Sequence, residues 1–375
     1  NTNLTLKANN IFLSTIEGGA KRLAGLYLLG YNDGGNSTIT VNLTAQDTIN
    51  ISGFSRGITT FGSADITLKA NDIQIHADES AGRGLNLAGY DAAKSTTLTM
   101  NANSINISGT GYGIYAHDRV NTDITADNIV ITSNSWSIAS MKNSKINLNG
   151  KVSNISKSLF SSEKGEININ TLENHIVSNG IAAKVTTEGE VNINKNNTAY
   201  SNTIKGGLWA EAAGIINVNL NGKASYLTGY TWLGDSYDGF VNLGLSNNAL
   251  WNNTEDSAVS NFKLNSGIVD MSYKEEHQLI EIKNLSGNNG IFVMDISGDD
   301  INQENSKTDF LKIENADQSQ KHFIKIGSSS INGLNNYDFD NKNPDNAIWI
   351  ADTNTNIIFE GEEFESIENI YNYTL

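Results

Sequence analysis

The sequence predicts an all-β protein: a right-handed parallel β-helix of about ten three-stranded coils, followed by a C-terminal β cap. Three observations lead to this prediction. A short alternating motif returns about every 25 residues, period-2 alternation of apolar residues runs throughout, and the 375 residues include one proline, Pro344. Proline lacks the backbone N–H that a strand ladder needs, so its near absence favours a long stack of strands.

The repeated motif places one apolar residue at an equivalent position in each unit. A coil of this length cannot bury its apolar side alone, but stacked coils enclose a continuous core. We therefore expect one inward column, made of Ile39, Ile66, Leu98, Ile124, Ile146, Ile167, Val191, Ile216 and Val241.

Two further stretches follow the motif within each unit. The second alternates apolar and polar residues, as at Ile49–Ile51 and Ile105–Ile107. The third often opens with glycine, as in GLNLAG from Gly84 and GLWA from Gly207. Three short strands joined by Asn, Gly and Ser turns fit one coil of a parallel β-helix.

The pattern changes after Val259, and the sequence divides into a β-helical stalk over 1–260 and a cap over 261–375. Longer strands are predicted from Leu264, His277 and Gly290 onward. The charge changes as well, since residues 251–375 hold 22 acidic and 8 basic residues.

This C-terminal segment resembles the autochaperone, or pertactin-like, region of passenger domains in bacterial type V autotransporters of the classical, monomeric kind. The ending Tyr371-Asn372-Tyr373-Thr374-Leu375 is similar to the Tyr-x-Tyr-x-Leu near the end of many passengers. The other residues that carry the resemblance are Leu264, Gly267, Val269, Asp270, Leu279, Ile282, Leu285, Gly287, Gly290, Phe292, Val293, Asp309, Leu311 and Ile313.

The resemblance implies a non-enzymatic adhesin at the bacterial cell surface, tethered to the outer membrane or secreted. Its expected partners are glycans or matrix proteins of host or bacterial surfaces, with self-association and biofilm formation as a further possibility. Contact with the membrane is expected only through a translocator barrel outside this sequence.

Composition bears on other classes of function. The formal net charge of −16 argues against a nucleic-acid partner, because phosphate recognition needs clustered Lys and Arg. The chain has no cysteine and five scattered histidines, so we expect no thiol chemistry, no metal site and no cofactor. Gly234-Asp235-Ser236 lacks the context of a protease site and is interpreted as a turn.

A polysaccharide-active enzyme remains an alternative, because many parallel β-helices act on polysaccharides. Such an enzyme needs two carboxylates about 5–9.5 Å apart. The candidates are Asp123 with Asp127, and Asp299 with Asp300. A second alternative is a purely structural stalk for a binding tip outside this sequence.

Two surfaces are candidates for binding, and the first is polar. Its outward side chains are predicted to form a flat hydrogen-bonding surface for glycans or another copy of the chain. Because these side chains are predicted to point outward, replacing the asparagines by Lys is expected to leave the fold intact. The alternative interpretation is structural: stacked Thr and Asn side chains can serve only to stabilise the strands. The column consists of Thr40, Thr67, Thr99, Thr125, Asn147, Asn168, Asn192, Asn217 and Asn242.

The second candidate surface is aromatic. Tyr27, Tyr115 and Trp209, with Phe160, are predicted to point outward from the third strand of their coils. Tyr230 and Trp232 belong to a cluster in the last coils, together with Tyr226, Tyr237 and Trp251. Aromatic side chains stack on sugars and anchor protein interfaces, or they fill the junction between helix and cap.

Overall fold

The fold is known from a computed structural model of the chain. It describes residues 2–14, 24–30, 38–90, 95–274, 277–297, 300, 307–317, 320–327, 348–354, 357–361, 364–365 and 372–373. Asp299, Pro344, Tyr371, Thr374 and Leu375, which the sequence analysis names, lie outside these residues.

The described residues form 29 strands, numbered in chain order. The first part of the chain contains β1 (Thr2–Ser14), β2 (Leu26–Gly30), β3 (Ile39–Phe54), β4 (Arg56–Gly62), β5 (Ala64–Lys69), β6 (Asp72–Ala77), β7 (Arg83–Ala88), β8 (Thr96–Gly109), β9 (Tyr112–His117), β10 (Val120–Met141), β11 (Lys145–Ser162), β12 (Glu166–Val185), β13 (Glu190–Ile193), β14 (Ser201–Ala210) and β15 (Ile215–Asn221). The rest contains β16 (Tyr226–Thr228), β17 (Thr231–Trp232), β18 (Phe240–Ser246), β19 (Leu250–Asn252), β20 (Ser257–Asn265), β21 (Ile268–Asp270), β22 (Leu279–Ser286), β23 (Ile291–Met294), β24 (Phe310–Ala316), β25 (Lys321–Ile326), β26 (Ala351–Thr353), β27 (Ile358–Gly361), β28 (Phe364–Glu365) and β29 (Asn372–Tyr373).

The strands pair in parallel in three rows, so the prediction of an all-β, β-helix-like stack of parallel strands is confirmed. Long strands such as β10 contribute to all three rows. The first row runs β1, β3, β5, β8, β10, β11, β12, β13, β15, β18, β20, β22, β24. The second runs β1, β3, β6, β8, β10, β11, β12, β14, β16, β19, β21, β23, β25, β27.

The third row contains the glycine-opened stretches. It runs β2, β4, β7, β9, β10, β11, β12, β14, β17 and resumes with β20, β22, β24, β26. Thr231 on β17 donates a hydrogen bond to the carbonyl of Ala258 on β20 at 2.8 Å, which joins the two parts.

Parallel pairing continues across residue 260, where the sequence predicts the boundary between stalk and cap. Asn242 pairs with Asn261, and Asn261 pairs with Asn284. Among the described strands, β28 and β29 form the one antiparallel pair. The division at 260 stays a prediction.

Eight of the nine predicted inward residues are buried and Ile39 is partly buried, with two differences in register. Ile66, Leu98, Ile146, Ile167, Val191, Ile216 and Val241 share one column. Val41, and not Ile39, pairs with Ile66, and Thr122, and not Ile124, pairs with Ile146. The repeated motif begins two residues early in one unit and two residues late in the other, which leaves its apolar alternation unchanged.

Among the described residues, no helix is long and apolar enough to cross a lipid bilayer.

The C-terminal strands bury two ionisable side chains. Asp309 is fully buried and accepts the backbone N–H groups of Gln278 at 2.8 Å and Asp295 at 2.7 Å. Burial outweighs these hydrogen bonds and raises its pKa to about 8. His322 is also fully buried, and burial lowers its pKa to about 4.

We predict that Ile167→Ala lowers the free energy of unfolding by about 2–5 kcal/mol, because it leaves a cavity in a fully buried column. The exposed Thr125, which lies in the same row of strands, supplies the control: Thr125→Ala is expected to change stability by less than about 0.5 kcal/mol. Urea denaturation measures both. Equal effects of the two substitutions would show that the inward and outward sides are reversed.

The pH dependence of stability follows from the two buried groups. Folded Asp309 keeps its proton to about pH 8, whereas the unfolded chain loses it near 3.8, so stability falls as the pH rises through this window. His322 acts in the opposite direction between pH 4 and 6.5, where the unfolded chain binds the proton more readily. Above pH 6.5 the pH dependence of stability that these two groups cause comes from Asp309 alone.

We therefore expect the free energy of unfolding to fall by roughly 1 kcal/mol per pH unit between pH 6.5 and 8. Asp309→Asn is expected to remove this slope. The exposed Asp317 provides a control with the same change of charge, because Asp317→Asn should retain the slope. Urea titrations at four pH values decide the matter, and a wild-type slope in Asp309→Asn would contradict the assignment.

Candidate binding surfaces

The polar surface on the first row is a register column that differs in part from the predicted one. Thr67 and Thr99 lie in the same column as the asparagines, but Thr40 pairs with Asp65, and Thr125 pairs with Asn149. Thr40 and Thr125 therefore do not belong to it. The column reads Asn42, Thr67, Thr99, Asp123, Asn147, Asn168, Asn192, Asn217, Asn242, Asn261 and Asn284.

Side-chain amides connect this column from Asp123 to Asn284, which we name the asparagine ladder. Each Nδ2 donates to the side-chain oxygen of the preceding member. The distances are 2.7 Å from Asn147 to Asp123, 2.7 Å from Asn168 to Asn147, 2.8 Å from Asn192 to Asn168, 2.7 Å from Asn217 to Asn192, 2.7 Å from Asn242 to Asn217, 2.6 Å from Asn261 to Asn242 and 3.0 Å from Asn284 to Asn261.

The middle of the ladder is buried, which corrects the expectation that all of these asparagines face solvent. Asn168 is 8% exposed and Asn192 is 0% exposed. Glu190 lies at the side of the ladder, where it accepts a hydrogen bond from Asn217 at 3.1 Å and forms an ion pair with Lys195 at 2.8 Å. Lysines at the buried positions would place charge inside the ladder, so solvent exposure no longer supports the expectation of an intact fold, which stays a prediction.

A second carboxylate beside the ladder is held in its charged form. Burial alone would raise the pKa of Glu166, but hydrogen bonds from Asn168 at 2.8 Å and Lys145 at 3.0 Å lower it below the ordinary value. Because the amide oxygens and one N–H of each amide are engaged within the chain, the asparagine ladder has the contacts of a structural element.

Asn261 and Asn284 belong to the ladder, although the sequence analysis did not identify them. A signal for them exists in the sequence. Asn242, Asn261 and Asn284 each come directly before a buried apolar residue of the next inward column, as in Asn-Leu, Asn-Phe and Asn-Leu.

The aromatic surface lies on the outward side of the third row, which we name the aromatic column. Tyr115 and Trp209 share it with Tyr27 and Trp232, although small or polar residues occupy some positions between them. In register order the column reads Tyr27, Thr59, Asn86, Tyr115, Ala139, Phe160, Lys184, Trp209 and Trp232.

Neighbouring side chains hold these rings at the surface. Lys184 Nζ lies 4.4 Å from the centre of the Trp209 ring, and it pairs with Glu211 at 3.1 Å. Trp209 Nε1 donates to the same carboxylate at 2.8 Å. Phe160 lies 5.1 Å from Trp136. The rings are therefore half-buried and fixed in orientation, with one side toward solvent.

The remaining aromatic residues of the predicted cluster separate into two groups. Tyr230 is half-buried beside Gly207, where an added Cβ would lie 2.6 Å from the tyrosine ring. Trp232 lies 6.3 Å from Tyr237, which is 43% exposed. Trp251, by contrast, is fully buried and packs edge-to-face on Phe262 at 5.8 Å, so it belongs to the core.

The carboxylates considered for catalysis make contacts within the chain. Asp123 accepts from Asn147 in the ladder, and Asp127 pairs with Lys151 at 2.8 Å. Asp300 accepts the backbone N–H groups of Lys307 at 3.0 Å and Thr308 at 2.6 Å, which shapes its loop. Gly234, with φ of +79°, opens a turn that contains Asp235 and Ser236.

Ser108, His76 and Asp78 lie in line at the surface of the second row. One ring nitrogen of His76 contacts the Ser108 hydroxyl, and the other lies 2.5 Å from the Asp78 carboxylate. The His76 and Asp78 side chains are 56% and 51% exposed. In a Ser-His-Asp catalytic site the acid is buried, so that it fixes the imidazole, whereas Asp78 is exposed to water and does not provide that environment.

Within the described ranges, no group of three or more His, Asp or Glu side chains could hold a metal ion. No protein-family model matches the chain, and no curated protein matches it significantly.

We predict that Asn192→Ala lowers the free energy of unfolding by about 1–3 kcal/mol, because the buried Asn168 oxygen loses its donor. Asn101 lies on the same row of strands but is exposed, so Asn101→Ala serves as the control and is expected to stay within about 0.5 kcal/mol. Chemical denaturation measures both variants. No loss of stability in Asn192→Ala would remove the structural role of the ladder.

Proposed function

We propose that the chain is the passenger domain of a bacterial autotransporter, and that it acts at the cell surface as an adhesin. In this proposal it attaches to glycans or matrix proteins on host or bacterial surfaces, without catalysing a reaction. The resemblance of 261–375 to autochaperone regions supports the family.

The proposed architecture is a right-handed β-helix of about ten coils with a C-terminal cap. The three parallel rows support the helix, and connections between parallel strands are nearly always right-handed. A cap from about residue 261 would protect one end of the stack from edge-to-edge pairing. Self-association has less support, because the side-chain amides of the asparagine ladder hydrogen-bond to one another within the chain and leave fewer groups for a second copy.

One observation carries the adhesive function: the aromatic column presents Tyr115, Phe160, Trp209 and Trp232 on one outward side of the stack. Aromatic rings along one surface provide stacking positions for sugar rings and anchors for a protein partner. A stalk without ligands would have no need for large half-exposed rings along one side. An adhesin displayed in many copies gains avidity from weak contacts of this kind.

We predict that the triple variant Tyr115→Ala, Trp209→Ala, Trp232→Ala loses adhesion. Each ring contributes roughly 0.5–1.5 kcal/mol, so the three together account for about a tenfold loss or more in affinity. Beads coated with the purified chain, tested against glycan-coated and matrix-protein-coated surfaces, measure this loss.

The control replaces three exposed tyrosines outside the aromatic column. Tyr200, Tyr226 and Tyr273 are 57%, 40% and 52% exposed. Their triple Ala variant should adhere like the wild type, and circular dichroism should show both variants folded. Adhesion that survives the loss of the aromatic column but fails in the control variant would contradict the proposal.

A further inference from the structure

Two arginines lie side by side on the third row, next to the aromatic column. Arg56 on β4 pairs in register with Arg83 on β7, which places their backbones about 4.8 Å apart. Arg83 pairs in turn with Tyr112 on β9. Both arginine side chains are half-buried. Two like charges at neighbouring positions repel each other, so this arrangement is unfavourable without an anion.

Within the part of the chain that the structure describes, no carboxylate pairs with either guanidinium. This is unusual in a chain with 41 acidic and 25 basic residues, where many lysines have an acidic partner. The pKa of Arg83 is lowered by burial and also by the charge of Arg56, while Tyr115 and Tyr112 act in the opposite direction. The pair is therefore a concentrated positive charge that no carboxylate of the described residues neutralises.

The neighbouring aromatic rings orient Arg83. Its Cζ lies 4.0 Å from the centre of the Tyr115 ring and 5.2 Å from that of Tyr112. Nη1 donates to Asn86 Oδ1 at 2.5 Å. One of its five side-chain N–H groups is thus used by a described partner, and the stacked guanidinium is held as a planar fork.

An unpartnered polar atom lies on the same outward side. Thr59 pairs with Asn86 in the aromatic column, and its neighbour Ile58 points into the core. Thr59 is 0% exposed, and its hydroxyl has no hydrogen-bond partner. A buried hydroxyl without a partner is rare in native structures, and a buried water molecule is the usual partner that completes such a group.

From these contacts we infer that Arg56 and Arg83 bind the acidic group of an acidic glycan, whose sugar rings stack along the aromatic column. The two guanidiniums match the paired oxygens of a carboxylate or sulfate, and Tyr115 lies beside them as the first stacking platform. This inference rests on the proposed adhesive function and specifies the class of ligand.

A glycan fits this surface better than an acidic peptide does. The rings of Tyr115, Phe160 and Trp209 occupy every second position of the column, so the surface is long and suits a linear chain of rings. The charge is confined to one end of the column, beside Tyr115. Lys184 farther along is already paired with Glu211. A glycan that carries acidic groups only at intervals needs one such charged site, whereas an acidic peptide would need many.

The test uses the full chain and four probes at fixed ionic strength: hyaluronan oligosaccharides, the same oligosaccharides with reduced carboxyl groups, heparin oligosaccharides and poly-glutamate. Calorimetry should show binding of hyaluronan or heparin and a roughly 10- to 100-fold weaker binding of the reduced, neutral probe. Tighter binding of heparin than of hyaluronan indicates a sulfate ligand, because hyaluronan carries carboxylates only.

The double variant Arg56→Gln, Arg83→Gln should bind the acidic probes roughly 10- to 100-fold more weakly than the wild type does, while its affinity for the neutral probe should change little. Arg119→Gln is the control for charge, because Arg119 lies in a turn outside the third row and its loss should leave binding unchanged. Thermal unfolding of all variants checks the fold. An equal loss of affinity for the acidic probes in the Arg119 variant would show that overall charge, and not the arginine pair, determines binding, and it would overturn the inference.

The inference is also overturned by equal binding of the acidic and the neutral oligosaccharides, by wild-type affinity in the double variant, or by binding of poly-glutamate as strong as that of the acidic glycans. Absence of binding to both acidic glycans also overturns it. The adhesive function has a separate readout, since adhesion that depends on Trp209 and Trp232 but not on the arginines leaves that function standing without this ligand class.

Discussion

Parallel pairing in register is the constraint on which the rest of the structure depends. Each strand satisfies its backbone N–H and C=O groups with the equivalent strand about one repeat later, so equivalent residues stand directly beside each other. A residue type that packs or hydrogen-bonds well against a second residue of the same type is therefore favoured along a column. Isoleucine on isoleucine fills the core, and asparagine on asparagine builds the ladder. Identical neighbours that carry the same charge, as at the arginine pair, repel each other and then require a separate reason.

The first and third rows use this constraint in different ways. In the first row the asparagine ladder satisfies its own hydrogen bonds from Asp123 to Asn284, and its centre at Asn192 has no contact with solvent. The third row carries rings whose outer sides remain open and a pair of guanidiniums whose charge is not neutralised by a described carboxylate. A surface that is already satisfied stabilises the stack, whereas an unsatisfied one is suited to a ligand.

The period of the repeat made the parallel strands and most of the inward column predictable. It did not determine where each strand begins, because a slip of two residues keeps the alternation and changes only the partner. This explains the differences at Ile39 and Ile124, and the two threonines that lie outside the ladder column. The burial of Asn192 depends on neighbours such as Glu190 and Lys195, which sequence periodicity does not place. Arg56 and Arg83 were missed because they are 27 positions apart and become neighbours only through register.

The central claim is that ligands bind the outward side of the third row and not the asparagine ladder. Hydroxyl-radical footprinting with mass spectrometry tests it directly, because aromatic side chains react strongly when they are exposed. With a saturating adhesive ligand, the account predicts protection of Tyr115, Trp209 and Trp232, while Tyr200 and Tyr226 keep their reactivity. Protection confined to the tyrosines outside the aromatic column, or no protection of the column by a ligand that is shown to be bound, would contradict the account.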